Sequence, residues 1–388
     1  MTPRAESAIA ILDRLVSFDT VSRNSNLALI DWVRDYLAQH GVTPVVLPNA
    51  DGTKANLFAT IGPADRPGIV LSGHTDVVPV DGQTWTHDPF RLTRANGRLY
   101  GRGTSDMKGY VACMLALVPQ LRQAALRQPV HLALSYDEEV GCLGVGGIVA
   151  HMRAQGLQPA ACLVGEPSLT GVVNGHKGSC GMLTLVSGVS CHSSRTDLGV
   201  NAVFHATDII ARLRRRADAL AAAPDSVGVF EPPYTTVSVG VVRAGTARNA
   251  IPGDCRIEWD IRATRPGMVE TVQAEMQAFI ESEVLPAMRA RDASCDVVTT
   301  MAYDVPPLLP EPDGAAETLA RRLTGSNRSS TVPYGSEAGI FQRAGISTVI
   351  CGPGDIAQAH TADEWIAESE IEACMAFLDR LVSHVGAG

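Results

Sequence analysis

The chain has 388 residues, of which 45% are hydrophobic and 19% are charged, and its formal net charge is −9. This length predicts two domains of ordinary globular composition, and the negative charge argues against nucleic acid as a partner. No apolar run approaches the ~20 residues of a membrane span, the first residues lack the apolar centre of a signal peptide, and nine scattered cysteines are typical of a reducing compartment, so we expect a cytoplasmic protein without a membrane partner.

The first part of the chain alternates between helical and strand patterns. Residues 5 to 40 contain two helical patterns, and Gly41 ends the second. A further helix is predicted over residues 105–123, with Ser105 as a candidate N-cap. Short apolar runs predict buried strands, each followed by polar residues, over 68–73, 130–135 and 161–164. This order indicates an α/β sheet with a crevice at its carboxyl edge.

The pattern changes after about residue 178. Strands are predicted over 182–188, 234–242, 254–262 and 295–303, and helices over 200–220 and 269–285. This is the strand-helix-strand-strand-helix-strand order of a ferredoxin-like domain. A last strand, over 348–351, returns to the first pattern. We therefore predict an α/β catalytic domain over residues 1–178 and 304–388, interrupted by a ferredoxin-like α+β domain over 179–303.

Five clusters of acidic residues and histidines lie outside the predicted insertion. They occupy residues 72–76, 103–109, 137–141, 165–168 and 358–364. Together they offer two imidazoles and several carboxylates, which is enough for two adjacent metal ions. Zinc accepts both kinds of ligand, and cobalt or manganese could occupy the same ligands. The clusters therefore predict a metal-dependent hydrolase.

The first two clusters suggest specific roles. His74 and Asp76 are two residues apart in an extended segment, so their side chains point the same way. The Asp76 carboxylate can then accept the second ring N–H of His74 and fix its tautomer. Asp106 follows a glycine-rich approach, and its single carboxylate could bridge two metals. The structural alternative for this segment is a helix cap.

The remaining clusters supply a base and further ligands. Glu138 and Glu139 are adjacent, so only a turn could aim both into one cavity, and taken alone such a pair is usually surface charge. We assign Glu139 to a metal and Glu138 to general-base catalysis on water. Glu166, directly after a predicted strand, and His360, after a glycine-rich loop, are further candidate ligands.

Taken in order, the five clusters resemble those of the co-catalytic zinc deacylase and carboxypeptidase family, from about residue 5 to residue 385. The resemblance implies two zinc ions, with Glu138 as the base and Asp76 orienting His74. It also implies that the inserted domain is a lid, and that two chains form a homodimer through this domain. The implied ligands are His74, Asp106 and Glu166 for one ion, and Asp106, Glu139 and His360 for the other.

Three residues of the inserted domain receive roles only from this resemblance. His192, within residues 190–194, resembles a lid histidine that reaches the active site of the partner subunit and hydrogen-bonds the oxyanion there. Asn249 and Arg262 resemble the family's binders of the substrate carboxylate, for which an arginine fork is well suited.

Some stretches most resemble the acetylornithine deacetylase branch of the family. They are residues 175–178, 245–249, 334–338 and 352–360. This implies hydrolysis of N2-acetyl-L-ornithine in arginine biosynthesis, with Glu337 at the basic end of the substrate or in a hydrogen bond of the site. Arg248 departs from the usual pattern, which leaves open a broader N-acyl-amino acid deacylase (acetylcitrulline included), a desuccinylase or a carboxypeptidase. A non-catalytic binding protein of the same fold is the remote alternative.

Overall fold

The computed structural model describes residues 1–224 and 229–386. Its helices are α1 (Pro3–Val16), α2 (Leu27–Gln39), α3 (Lys108–Gln123), α4 (Val145–Ala154), α5 (Ala202–Ala222), α6 (Met268–Phe279), α7 (Leu285–Arg289), α8 (Ala315–Thr324), α9 (Ala338–Arg343) and α10 (Glu368–Val385). A π-helical turn (Ile280–Val284) joins α6 to α7. Its strands are β1 (Val45–Pro48), β2 (Ala55–Ile61), β3 (Ile69–His74), β4 (Thr93–Ala95), β5 (Arg98–Tyr100), β6 (Val130–Ser135), β7 (Ala161–Pro167), β8 (Val173–His176), β9 (Ser179–Ser187), β10 (Thr236–Ala244), β11 (Asp254–Arg262), β12 (Asp296–Val305), β13 (Ser330–Val332), β14 (Thr348–Gly352) and β15 (Trp365–Ala367).

The chain folds as two compact units. The first comprises Met1–Gly175, Leu308–Thr331 and Ser336–Gly388, and the second comprises His176–Pro307 and Val332–Gly335. No helix within the described residues combines the length and the apolar character that crossing a bilayer requires.

In the described part of the first unit, eight strands form one sheet in the order β1-β2-β6-β3-β7-β14-β8-β13. Strands β6, β3, β7 and β14 are parallel neighbours at its centre. Every residue of these four strands is buried, which explains why their sequences are continuous apolar runs rather than alternating patterns. Because the strands are parallel, their carboxyl ends meet at one edge of the sheet.

Helix α3 differs from its prediction at the start. It begins at Lys108, and its N-cap position is Met107, whose side chain makes no capping bond. Ser105 is therefore not the cap that we predicted, and its hydroxyl donates instead to the carbonyl of Asp355 at 3.2 Å. The helix is buried from Lys108 to Val118 because it lies in the first unit's core with α1 and α10.

The second unit has its own sheet and its own core. Within its described residues, four antiparallel strands form a sheet in the order β10-β11-β9-β12. Helix α5 packs on this sheet, and apolar residues of α6 belong to the same core. Cys255, Ile257, Trp259 and Ile261 alternate into the core along β11, as their spacing predicts. The predicted α/β fold with a ferredoxin-like insertion is confirmed.

Candidate metal centre

The five predicted clusters converge at the carboxyl edge of the parallel strands. His74 is the last residue of β3, Glu166 lies near the end of β7, and Glu138 and Glu139 follow β6. His360 follows β14 after a short loop, and Asp106 lies in the turn before α3. The parallel order of the strands brings these segments together although they are far apart in the sequence.

Asp106 lies between the two histidines. Its Oδ1 is 3.0 Å from Nε2 of His74, and its Oδ2 is 3.3 Å from Nε2 of His360. Nε2 of His74 also lies 3.8 Å from Oε1 of Glu166, and Nε2 of His360 lies 3.1 Å from Oε2 of Glu139. One carboxylate that offers a different oxygen to each histidine has the arrangement of a bridging ligand.

Possible ligand atoms form two groups, and within each group all the atoms lie within 4.8 Å of one another. They are His74, Asp106 and Glu139, and His74, Glu138 and Glu166. The two groups contain four of the five predicted ligands, together with Glu138, to which we assigned the role of base. The fifth ligand, His360, is in neither group but contacts Asp106 and Glu139. Glu138 is part of a group that also contains two predicted ligands of the first ion.

His74 makes a different contact with Asp76 from the one that the sequence suggests. Its Nδ1 donates to the main-chain carbonyl of Asp76 at 2.9 Å, whereas the nearer carboxylate oxygen is 3.7 Å away. The predicted hydrogen bond to the carboxylate is therefore wrong in this detail, because the chain turns after His74 and does not continue as a regular strand. The main-chain contact still leaves the lone pair of Nε2 facing the carboxylates.

The Asp76 carboxylate instead holds the turn after β6. Its oxygens accept the main-chain N–H groups of Glu138 at 3.1 Å and of Glu139 at 3.3 Å, and the hydroxyl of Ser22 at 2.7 Å. The turn begins with Asp137, whose φ is 57°. This left-handed conformation explains how two adjacent glutamates reach the same site.

The site fits a cation. Oε1 of Glu139 and Oε1 of Glu166 are buried and have no hydrogen-bond partner among the described residues. The neutral form of His74 directs a lone pair at Asp106. Buried carboxylate oxygens without donors are costly unless a cation neutralises them, so this donor set is suited to a metal.

The protonation behaviour supports the same conclusion. Burial, followed by the surrounding carboxylates, raises the pKa of Glu138 to about 8 and that of Glu139 to about 7, and it raises the pKa of Glu166 well above its usual range. Hydrogen bonds to Asp106 and Glu139 raise the pKa of His360 to about 10. Raised pKa values of this kind favour protonated carboxylates, whose protons a bound cation would displace.

Glu337 lies where it cannot meet a substrate. Its side chain is 0% exposed, and its two oxygens accept the hydroxyls of Ser72 at 2.6 Å and Ser135 at 2.7 Å. These serines lie on the neighbouring strands β3 and β6. The alternative in which Glu337 binds the basic end of a substrate is therefore wrong, and the alternative of a hydrogen bond within the site agrees with the geometry.

Two ion pairs beside the centre, one buried and one partly buried, were not predicted. Arg102 pairs with Glu364 at 2.8 Å, and both side chains are 1% exposed. Lys54 pairs with Asp137 at 2.5 Å. Glu364 and Asp137 stand inside the predicted clusters, but their partners are 262 and 83 residues away in the chain. No local pattern indicates such a pairing.

The three predicted residues of the second unit are exposed or partly exposed. His192 forms an isolated bridge with Ala250, so it lies beside Asn249, whose carbonyl accepts the N–H of Ser193 at 3.0 Å. Arg262 stands on β11, where its Nε donates to Asp260 at 2.8 Å and its side chain lines an open cavity of about 390 Å³.

Residues 70–384 match the sequence profile of peptidase family M20/M25/M40. The chain belongs to this family. Two relatives named acetylornithine deacetylase span almost the same length. That of Myxococcus xanthus is 35% identical over 387 residues, covering 98% of this chain and 97% of the relative. That of Pasteurella multocida is 30% identical over 383 residues, with the same coverage.

Solved M20 structures share the fold. The metallo-carboxypeptidase Sso-CP2 from Sulfolobus solfataricus superposes with a TM-score of 0.76 at 17% identity, covering 98% of this chain and 99% of that one. The YXEP protein of Bacillus subtilis, described as a dinuclear metal binding peptidase, superposes with a TM-score of 0.65 at 17% identity, covering 98% of both chains. M20 membership and the candidate centre confirm the predicted metal-dependent hydrolase of amide bonds.

Proposed function

We propose that the protein hydrolyses N2-acetyl-L-ornithine to L-ornithine and acetate. The observation that carries this proposal is the nearly full-length similarity to relatives named acetylornithine deacetylase, at up to 35% identity. The convergence of His74, Asp106 and Glu139 within 4.8 Å supports the reaction class. In the cell this activity would serve arginine biosynthesis. The nine free cysteines, all of which lie in the described ranges, support a cytoplasmic location.

The metal in this proposal is zinc, bound as two ions. His74, Asp106 and Glu166 would hold one, and Asp106, Glu139 and His360 would hold the other. The contacts of the two Asp106 oxygens with separate histidines support this division. When bound, the ions supply Lewis acidity, which makes water a stronger acid and polarises the scissile carbonyl.

Glu138 is the general base of the proposed reaction. It takes a proton from the attacking water and later gives it to the departing α-amine. Its main chain is fixed by Asp76, and its Oε1 accepts the thiol of Cys142 at 3.4 Å. A carboxylate held at both its main chain and its side chain keeps one position through both proton transfers.

His192, Asn249 and Arg262 bind the substrate in this proposal. Nδ1 of His192 accepts the main-chain N–H of Ser194 at 3.2 Å, so the neutral ring carries its proton on Nε2. That N–H can donate to the oxyanion of the tetrahedral intermediate. Asn249 and the guanidinium of Arg262 hold the α-carboxylate, and Arg262 has donors besides the Nε that binds Asp260.

The working form in this proposal is a homodimer in which His192 serves the active site of the partner subunit. Mixing inactive Glu138→Ala subunits with inactive His192→Ala subunits tests this directly. A mixed dimer would contain one site with both residues intact, so about a quarter of the wild-type activity should return after subunit exchange. If the mixture stays inactive although native mass spectrometry of differently tagged subunits shows mixed dimers, His192 does not act across subunits.

The substrate is tested by measuring kcat/KM of the zinc-loaded protein. We expect N2-acetyl-L-ornithine to exceed N-acetyl-L-methionine, N-acetyl-L-citrulline and N-succinyl-diaminopimelate by about a hundredfold or more, since a matched polar contact discriminates at that level. Comparable rates on the neutral acetyl-amino acids would indicate a broad deacylase instead. Preference for the succinylated substrate would overturn the proposed acyl group.

A further inference from the structure

Besides Glu139, whose turn is held by Asp76, two of the proposed ligands lie on irregular segments rather than on strands. Asp106 stands in the turn before α3, and His360 stands in the loop after β14 with a φ of 62° and a side chain that is 51% exposed. His74 and Glu166, by contrast, are held by the hydrogen bonds of β3 and β7. The positions of Asp106 and His360 must therefore depend on side-chain contacts with their segments.

Glu364 fixes the segment that carries Asp106. Its Oε1 accepts the main-chain N–H of Ser105 at 2.9 Å and that of Asp106 at 3.1 Å. Its Oε2 accepts Nη1 of Arg102 at 2.8 Å. Every acceptor of this buried carboxylate is thus used by a donor from the residues that lead into α3.

Arg102 and Gln83 continue the connection to His360. Nη2 of Arg102 donates to Oε1 of Gln83 at 2.6 Å, and Nε2 of Gln83 donates to the main-chain carbonyl of His360 at 2.8 Å. Three side chains, those of Glu364, Arg102 and Gln83, therefore join the main chain of Asp106 to that of His360.

The loop is fastened at two further points. Nη1 of Arg102 also donates to the carbonyl of Thr361 at 3.2 Å. Oδ1 of Asp363 accepts the N–H groups of Thr86 at 2.8 Å and His87 at 3.1 Å. These contacts hold the loop against the segment that contains Gln83. A change at Gln83 should therefore change the position of the loop.

We propose that Gln83, Arg102 and Glu364 are positioning residues that set the spacing of Asp106 and His360 and thereby the affinity of the metal ion these two ligands share. This inference rests on the ligand assignment of the proposed function. Residues that orient metal ligands commonly change metal affinity 10–100-fold when they are replaced. The planar arginine fork suits such a link because its donors have fixed directions.

Gln83 is the residue to test, because it is only partly buried and its replacement should leave the fold intact. Gln83→Ala removes both contacts, together with the acceptor that Oε1 provides for Nε1 of Trp85 at 3.1 Å. Gln83→Glu keeps an acceptor for Arg102 but removes the donor to His360. We expect both variants to bind the zinc ion held by His360 about 10–100-fold more weakly in competition with a chromogenic chelator. The effect on the other ion should be smaller, because that ion shares Asp106 but not His360. The cobalt-substituted variants should also show a changed visible spectrum.

Gln158→Ala is the matched control. Gln158 is exposed and precedes the amino end of β7, at the opposite edge of the sheet from the centre. It should release zinc as the wild type does. If both Gln83 variants also release zinc as the wild type does, the positioning role is wrong. A His360→Ala variant that keeps both ions would show instead that the ligand assignment has failed.

Discussion

Oδ1 of Asp76 accepts the main-chain N–H of Glu138 at 3.1 Å. Its other oxygen accepts the N–H of Glu139 at 3.3 Å. One buried carboxylate therefore places both the proposed base and the proposed ligand next to it. This contact differs from the one expected from the spacing of His74 and Asp76, and it makes Asp76 a support for the whole turn.

Replacing Asp76 should impair catalysis through this turn. In Asp76→Asn, the side-chain NH2 group replaces one carboxylate oxygen and cannot accept a hydrogen bond from the main-chain N–H that it faces. We therefore expect kcat to fall about 10–100-fold. Ser22→Ala is the milder comparison, because it removes only the hydroxyl bond to the same carboxylate and should cost about 1 kcal/mol in the free energy of unfolding. Steady-state kinetics and urea unfolding measure both effects. A wild-type kcat for Asp76→Asn would contradict the role.

Substitution of the base and substitution of a ligand should have different effects on metal content. Glu138→Ala should lower kcat by about 10²–10⁴-fold while the protein keeps two metal ions, because the base only transfers protons. His360→Ala should lose both activity and one ion. Metal analysis after dialysis, alongside kinetics, distinguishes the two results. A Glu138→Ala variant with normal kcat would remove Glu138 from the mechanism.

The metal-free protein should become less stable as the pH rises. In the folded protein the pKa is about 8 for Glu138 and about 7 for Glu139, whereas the ordinary value is 4.5. Between pH 4.5 and these raised values, the folded protein keeps protons that the unfolded chain has released. The pKa of His360, about 10 against 6.5, acts in the same direction at higher pH. Thermal melts in chelator should therefore show Tm falling from about pH 5 to about pH 9.

Added zinc should reverse this trend, because the ligands must lose their protons to bind metal. The increase in Tm on adding zinc should accordingly grow with pH. The double variant Glu138→Gln with Glu139→Gln provides the control, since it removes two of the titrating groups and should flatten the metal-free profile. A Tm that rises with pH in chelator would be incompatible with these pKa shifts.

Glu337 should affect stability rather than substrate affinity. Glu337→Gln replaces one acceptor of the Ser72 and Ser135 hydroxyls with an amide, which should cost about 1–3 kcal/mol in the free energy of unfolding. KM for N2-acetyl-L-ornithine should change little, because the side chain is fully buried. A large rise in KM with unchanged stability would restore the discarded role at the basic end of the substrate.

The sequence predicted the site because its chemistry lies at the ends of apolar runs. His74, Glu139 and Glu166 each follow or end a strand of the parallel centre, so a local pattern was enough to place them together. The pairing of Arg102 with Glu364 had no such signal, since ion pairs between distant residues follow from the tertiary fold alone. The start of α3 was misplaced because Ser105 has the chemistry of a cap but hydrogen-bonds elsewhere.

The position of β14 has a consequence for biosynthesis. This strand, Thr348–Gly352, lies between β7 and β8 in the sheet although it is made long after both. A ribosome must therefore translate through the second unit and most of the remaining chain before the sheet can close and His360 can join the other ligands. Until then the nascent chain has the acidic ligands of the site but not His360. Contacts between such distant residues form slowly, so we expect the first unit to acquire its metal and its activity only after β14 has been made and has joined the sheet.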